Sequence, residues 1–239
     1  LAIPRDEIYI TTKMWPGMFN QEEPFQTFDG AIQACNQSLK FLQVDEIDLY
    51  LIHNPFAKEN RLELWEAMVE LKKQGKVKHI GVSNYNINHI QEIEKAGIEM
   101  PAANQIEIHP WHVVSKSLAE YMDKNEILPI AYSTLAPIPN WREGSRWNGK
   151  PEDMKSGAMP CEDIANKYAV TVPQLFLKWA IQLGYPVLPK SVKYDRLKEN
   201  LSLDHFEISI DDMTSISNIA IDNQKCLAWS GDFDPLEVD

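Results

Sequence analysis

Short apolar runs of strand length alternate with amphipathic helical stretches along this chain. That alternation constrains its fold more than any other feature. The runs are "EIYITTK" at 7–13, "IDLYLIH" at 47–53, "KHIGVSN" at 78–84, "AANQIEIHP" at 102–110, "ILPIAYSTL" at 127–135 and "YPVLPKS" at 185–191. Between the first two, apolar residues fall at Phe28, Ile32, Cys35, Leu39 and Leu42, which is the spacing of one helix face. Leu64, Trp65, Met68 and Leu71 repeat that spacing over 61–74, and Gly75 stands where a C-cap glycine belongs. Further helices are expected from Asn86 to a stop at Gly97, near 115–125, near 161–168, at 173–183, from Tyr194, and at 210–219. Thr171 is placed to cap the helix at 173–183, with Pro173 in its first turn and Gly184 at its end. Strands separated by helices make βα units and a parallel sheet buried on both faces. No glycine-rich dinucleotide fingerprint follows any strand, which argues against a Rossmann domain. The expectation is one α/β domain over 1–239, a (β/α)8 TIM barrel of which six core strands are readable.

Composition narrows the function classes. With 23 Lys and Arg against 35 Asp and Glu the net charge is −12. Such a chain does not bind nucleic acid or anionic membranes in general, although one local basic pocket remains open to it. Cys35, Cys161 and Cys226 are too few and too scattered for a disulfide framework or a zinc site. A reducing, cytoplasmic location and no metal are expected. No apolar run is long enough to span a membrane, and no signal peptide is read at the start.

In barrels of this kind the chemistry lies at the C-terminal ends of the strands. Those positions hold Lys13, His53, Ser83 with Asn84, Gln105 with His109, Tyr132 with Ser133, and Lys190 with Ser191. A lysine in such a mouth serves as a Schiff-base nucleophile, a phosphate ligand or a charge that lowers a neighbour's pKa. A solvated strand-end lysine explains it equally well. A histidine there orients a carbonyl or shuttles a proton, and a lone one caps a strand. The segment "LPKSVKYDRLKENL" (188–201) brings Lys190, Ser191 and Arg196 to the start of a helix. That is a frequent anion site, and Arg suits a 2′-phosphate. A surface salt-bridge cluster is the other reading.

Together these motifs resemble the aldo-keto reductase family. "EIYITTKMWP" resembles its strand ending in a catalytic lysine, here Lys13. "DEIDLYLIHNP" is similar to its Asp-x-x-Leu-x-Leu-x-His-x-Pro signature, with His53 as the catalytic histidine. "KVKHIGVSNYN", "NQIEIHP" and "AYSTL" resemble the segments around the nicotinamide, and "LPKSVKYDRLKENL" the 2′-phosphate signature. The likeness runs in order from about residue 5 to 215. It implies that NADPH is the cofactor and that Ser83, Asn84 and Gln105 hydrogen-bond the carboxamide. It also implies that Tyr132 stacks on the nicotinamide, that Ser133 and Leu135 line the pyrophosphate, and that Trp15 walls the substrate pocket. Lys190, Ser191, Val192, Arg196 and Asn200 would hold the adenosine phosphate end, with Glu199 near the adenine.

The chain departs from the family pattern at three places. Asn54 stands where the family usually has tryptophan, which implies a smaller and more polar pocket wall. Lys193 adds a cation beside the phosphate segment. The family's catalytic tyrosine and the aspartate that pairs its lysine lie before the Lys13 strand, and no residue of this sequence matches either. A closed barrel needs eight strands, so two βα units of about 30 residues each are expected to be missing from this sequence. An open six-strand remnant would expose unpaired edges. The implied activity is reduction of an aldehyde or ketone to an alcohol by hydride transfer from NADPH. A catalytically silent NADP(H)-binding protein is the alternative. An aldolase acting through Lys13 leaves Gln105, Tyr132 and Arg196 without a role. The loop at 136–159, with Trp141, Arg142 and Trp147, and the tail at 220–239, with Trp229, are expected to shape the pocket. A monomer or weak homo-oligomer is expected.

Overall fold

The computed structural model describes residues 3–17, 25–138, 161–229 and 233–238. They belong to two compact units. One comprises Leu1–Gln105, Glu120–Leu128 and Pro235–Asp239, the other Ile106–Ala119 and Pro129–Asp234.

In the first unit β1 (Thr11–Met14), β2 (Ile47–Ile52), β3 (Val77–Ser83) and the start of β4 (Ala103–Glu107) pair parallel, in chain order. Every residue of β2 is buried, which its near-continuous apolar sequence requires of a central strand. The exception in type is Asp48. Its carboxylate accepts from the Ile10 N–H and pairs with Lys78 and Arg5. Burial alone would raise its pKa; these partners outweigh that and hold it well below the usual carboxylate range. At Gly81 of β3 the strands come so close that a Cβ would lie 2.6 Å from the Ala103 carbonyl oxygen.

Helices α1 (Phe28–Leu42), α2 (Arg61–Lys73) and α3 (Ile87–Ala96) link these strands. Leu64, Trp65, Met68 and Leu71 of α2 are fully buried, as their spacing implies. Helix α3 begins at an Asn86–His89 capping box and ends at Gly97, whose φ of +67° suits glycine. Asn86 Nδ2 also donates to the Leu236 and Val238 carbonyls.

Helix α4 (Lys116–Lys124) leads to β5 (Leu128–Tyr132), and the sheet order is β1-β2-β3-β4-β5. The second unit also contains α5 (Glu162–Lys167), α6 (Val172–Gln182), α7 (Tyr194–Leu201), α8 (Ile210–Ser217) and α9 (Ile219–Asn223). The α6 start is a Thr171–Gln174 capping box with proline in its first turn. Leu175, Phe176, Leu177, Trp179 and Ala180 of α6 are buried, and Trp179 Nε1 donates to Ser217 Oγ.

One strand expectation is corrected. The run at 185–191 forms a single parallel bridge, Ala131 to Val187, with Ala131 N–H donating to the Pro186 carbonyl. Pro186 and Pro189 have no N–H to extend a ladder, so the apolar run does not become a full strand. Trp141, Arg142 and Trp147 of the expected pocket loop lie outside the described residues. No described helix is long and apolar enough to cross a membrane.

Candidate active site

Parallel register brings the strand ends of the first unit to one level. Met14 pairs with Ile52, Ile52 with Val82, and Ser83 with Gln105. Lys13, His53, Ser83, Asn84 and Gln105 therefore meet at one edge of this sheet. Lys13 Nζ donates to Gln105 Oε1 at 2.7 Å, and burial lowers the lysine's pKa. Among the described residues this ammonium has no carboxylate partner.

His53 follows β2, and its backbone N–H donates to the Met14 carbonyl. Burial, and next the nearby Lys13 charge, push the imidazole down to about 4. The ring is therefore neutral at neutral pH, with one N–H to donate and one nitrogen to accept. Trp15 meets it edge to face, with centroids 5.0 Å apart. Beneath the ring, Asn84 Nδ2 donates to the His53 carbonyl at 3.0 Å and to Ser83 Oγ at 3.1 Å. Ser83 Oγ donates to the Gln105 carbonyl at 2.7 Å. Asn84 has φ +63°, a conformation asparagine tolerates better than most residues. Asn54 is buried in its own turn. It donates to the Gly17 carbonyl and accepts from the Phe56 N–H.

In the second unit Tyr132 closes β5, and its hydroxyl accepts from Trp229 Nε1 at 2.8 Å. Burial, then the Glu107 charge, raise this hydroxyl's pKa well above its usual value. Ser133 starts a turn at φ +55° that ends with Ala136 N–H on the Ser133 carbonyl, and Leu135 lies within it. Lys190, Val192, Lys193 and Arg196 are exposed before and within α7. Among the described residues no acidic group pairs with these three cations. Ser191 Oγ accepts from the Lys193 N–H at 3.1 Å. Glu199 accepts from Thr171 Oγ1, and Asn200 is buried.

A buried polar knot in this unit was not anticipated from the sequence. Glu107 accepts from the Leu227 and Ala228 N–H groups, from Cys226 Sγ, and from His109 Nε2 at 2.8 Å. His109 Nδ1 accepts from the Trp111 N–H, so His109 is neutral with its proton on Nε2. His112 differs. Its Nδ1 faces the Glu107 carbonyl at 2.8 Å and its Nε2 the Asp234 carboxylate at 2.7 Å. Each ring nitrogen thus faces an oxygen, an arrangement that favours the protonated ring. The pKa directions agree. Burial lowers His109. Burial would lower His112 as well, but Asp234 and then Glu107 together outweigh it and raise its pKa. His112, Cys226 and Asp234 offer metal-ligand atoms within 4.8 Å of one another. Here those atoms hydrogen-bond each other and Glu107. The signal for the knot was present, since a glutamate inside an apolar strand run must find partners on burial.

A family model for the aldo/keto reductase family matches residues 2–221. The chain belongs to the aldo/keto reductase family. A glyoxal reductase of Bacillus subtilis is 33% identical over 223 residues, 93% of this chain and 72% of that protein. An aldo-keto reductase from a Medee basin deep-sea metagenome library has a crystal structure that superimposes with TM-score 0.78 at 32% identity. The match covers 100% of this chain and 79% of that one. A Bombyx mori aldo-keto reductase solved in complex with NADP gives TM-score 0.75 at 29% identity, over 91% of this chain and 69% of its own. The α/β fold of (β/α)8 barrel type expected from the sequence is thereby established. The chain spans 66% to 72% of the length of the first curated relatives it matches.

Proposed function

We propose that this aldo/keto reductase chain belongs to an NADPH-dependent carbonyl reductase, with His53 orienting the substrate carbonyl and Lys13 supplying a positive charge beside it. The observation that carries this reading is the convergence of Lys13, a neutral His53 and the Ser83–Asn84–Gln105 chain at successive parallel strand ends. The donor sets suit the cofactor. Lys190, Lys193 and Arg196, exposed and without acidic partners among the described residues, match an extra phosphate. Tyr132 offers a ring face for the nicotinamide. Ser83, Asn84 and Gln105 offer amide and hydroxyl groups for its carboxamide. Ser133 and Leu135 are assigned to the pyrophosphate, and Ser191, Val192, Glu199 and Asn200 to the adenosine end.

When bound, NADPH supplies a hydride. This chain's part is positioning and electrostatics. The His53 N–H donates to the substrate carbonyl oxygen and polarises it. The Lys13 ammonium favours the anionic form of any hydroxyl held beside it. Trp15, braced against His53, forms an apolar wall. The resemblance assigns proton donation to a tyrosine that none of these 239 residues matches. The glyoxal reductase and methylglyoxal reductase names among the relatives support small, reactive carbonyl compounds as the substrate class. The three cysteines are free, which supports a reducing, cytoplasmic setting, and a monomer or weak homo-oligomer is the state proposed.

The test is NADPH consumption by the full-length protein across a panel of aldehydes, ketones and dicarbonyls. Turnover on small carbonyls is expected. Tight NADPH binding with no turnover on any member would overturn the reading and leave the silent binding protein.

A further inference from the structure

From the buried knot we infer that Trp229 is a positioning residue for Tyr132, held in place by anchored residues on either side of it in the sequence, both fixed to the segment that begins at the last residue of β4, Glu107. This rests on the reading that Tyr132 stacks on the nicotinamide. The first anchor is Cys226–Ala228, three consecutive residues whose Sγ or backbone N–H groups all donate to Glu107. The second anchor is Asp234, paired with His112 Nε2 at 2.7 Å. Glu107 is fully desolvated at 1% exposure, so its carboxylate cannot exchange these donors for water and holds them firmly.

Trp229 directly follows the first anchor. Phe233 braces its ring in a T-shaped contact with centroids 5.8 Å apart. Its indole N–H then has one defined direction, towards the Tyr132 hydroxyl at 2.8 Å. A tyrosine at a strand end can otherwise rotate about two side-chain torsions. The hydroxyl oxygen lies on the χ2 axis, so this bond fixes χ1 and with it where the ring stands, and the ring's position decides how far a flat partner overlaps it. Glu107 and His112 lie in the "IEIHPWH" stretch that follows Gln105, so one short segment serves both the strand end and the two anchors.

The experiment measures NADPH dissociation constants by fluorescence titration, with kcat alongside, in the full-length protein. The variants are Trp229→Phe, Tyr132→Phe, their double mutant, and Tyr132→Ala. Trp229→Phe keeps an aromatic ring but removes the N–H together with the pyrrole ring, while Tyr132→Phe removes only the hydroxyl at the other end of the same bond. It and Tyr132→Phe are each expected to weaken NADPH about three- to ten-fold, the scale of one hydrogen bond. The double mutant is expected to bind no more weakly than either single one, because both remove the same bond. A general loosening of the tail would instead give multiplying losses. Multiplying losses, or unchanged affinity in Trp229→Phe, overturn the positioning role. Tyr132→Ala tests the underlying reading separately. If it leaves NADPH affinity intact, Tyr132 does not stack on the cofactor and the inference falls with it. If it weakens binding while Trp229→Phe is silent, the stacking stands and only Trp229 is wrong.

Discussion

At His53 the fold removes solvent from an imidazole and sets an ammonium beside it. Both effects disfavour the charged ring, so it waits as a neutral donor. His53→Ala should lower kcat by about 10²- to 10⁴-fold, the range for a positioned acid–base or polarising group. NADPH affinity should stay within about two-fold, because no hydrogen bond in the cluster below uses the ring itself. Steady-state kinetics with a separate binding titration decides this; a parallel loss of affinity would make the ring a structural wedge. Arg196 belongs to the same scale. A guanidinium on a phosphate is worth more than a neutral hydrogen bond, so Arg196→Ala should weaken NADPH by about 10- to 100-fold and NADH hardly at all. Equal losses for the two cofactors would remove the 2′-phosphate from this site. Residues such as these are legible in the sequence, because a polar group ending an apolar run is conspicuous. The role of Glu107 is not, because a polar group inside a run reveals nothing about the segment 120 residues away that satisfies it.

At the scale of elements, caps and apolar spacing announce most helices. Asn86, Gly97 and Thr171 take up the capping positions that their sequence implies, since a cap is chemistry within four residues of the helix end. Pairing is a long-range property, and there the sequence misleads. The run at 185–191 has strand composition, yet its prolines restrict it to one bridge. Gly81 shows the opposite case, a pairing constraint written in one small residue. β3 lies between β2 and β4 with Leu51 Cδ2 2.7 Å and the Ala103 oxygen 2.6 Å from the absent Cβ. The Ala103 oxygen is backbone and cannot swing away. Gly81→Ala should therefore destabilise the protein by about 1–3 kcal/mol through forced strand displacement. Loss of activity should follow only as far as Ser83, two residues on, is displaced. Chemical denaturation of the variant checks this; an unchanged midpoint would mean the strands have slack.

For the whole molecule, buried ionisable groups with opposite shifts set the dependence of stability on pH. His53 and His109 are lowered in the folded protein, each chiefly by burial. As pH falls below about 6.5 the unfolded chain takes up their protons first. Stability is then lost, for His53 down to about 4. Asp48 extends the loss further, because its carboxylate is held ionised in the fold and protonates readily when unfolded. His112 acts in the other direction. Burial opposes protonation of its ring, but Asp234 and the Glu107 carboxylate and carbonyl face it and together outweigh burial, and the result is a raised pKa. Its contribution is complete below about 6.5 and disappears as pH rises through the folded value. Stability should thus fall on both sides of the ordinary histidine range, and two substitutions should separate the limbs. His112→Asn should lower stability at pH 6 and flatten the alkaline limb, leaving the acid limb as it was. His53→Asn should flatten the acid limb and leave the alkaline one. Denaturant midpoints over pH 4–9 read both. If His112→Asn leaves the alkaline slope unchanged, His112 is not charged in the folded protein, and its contact with Asp234 is a neutral hydrogen bond.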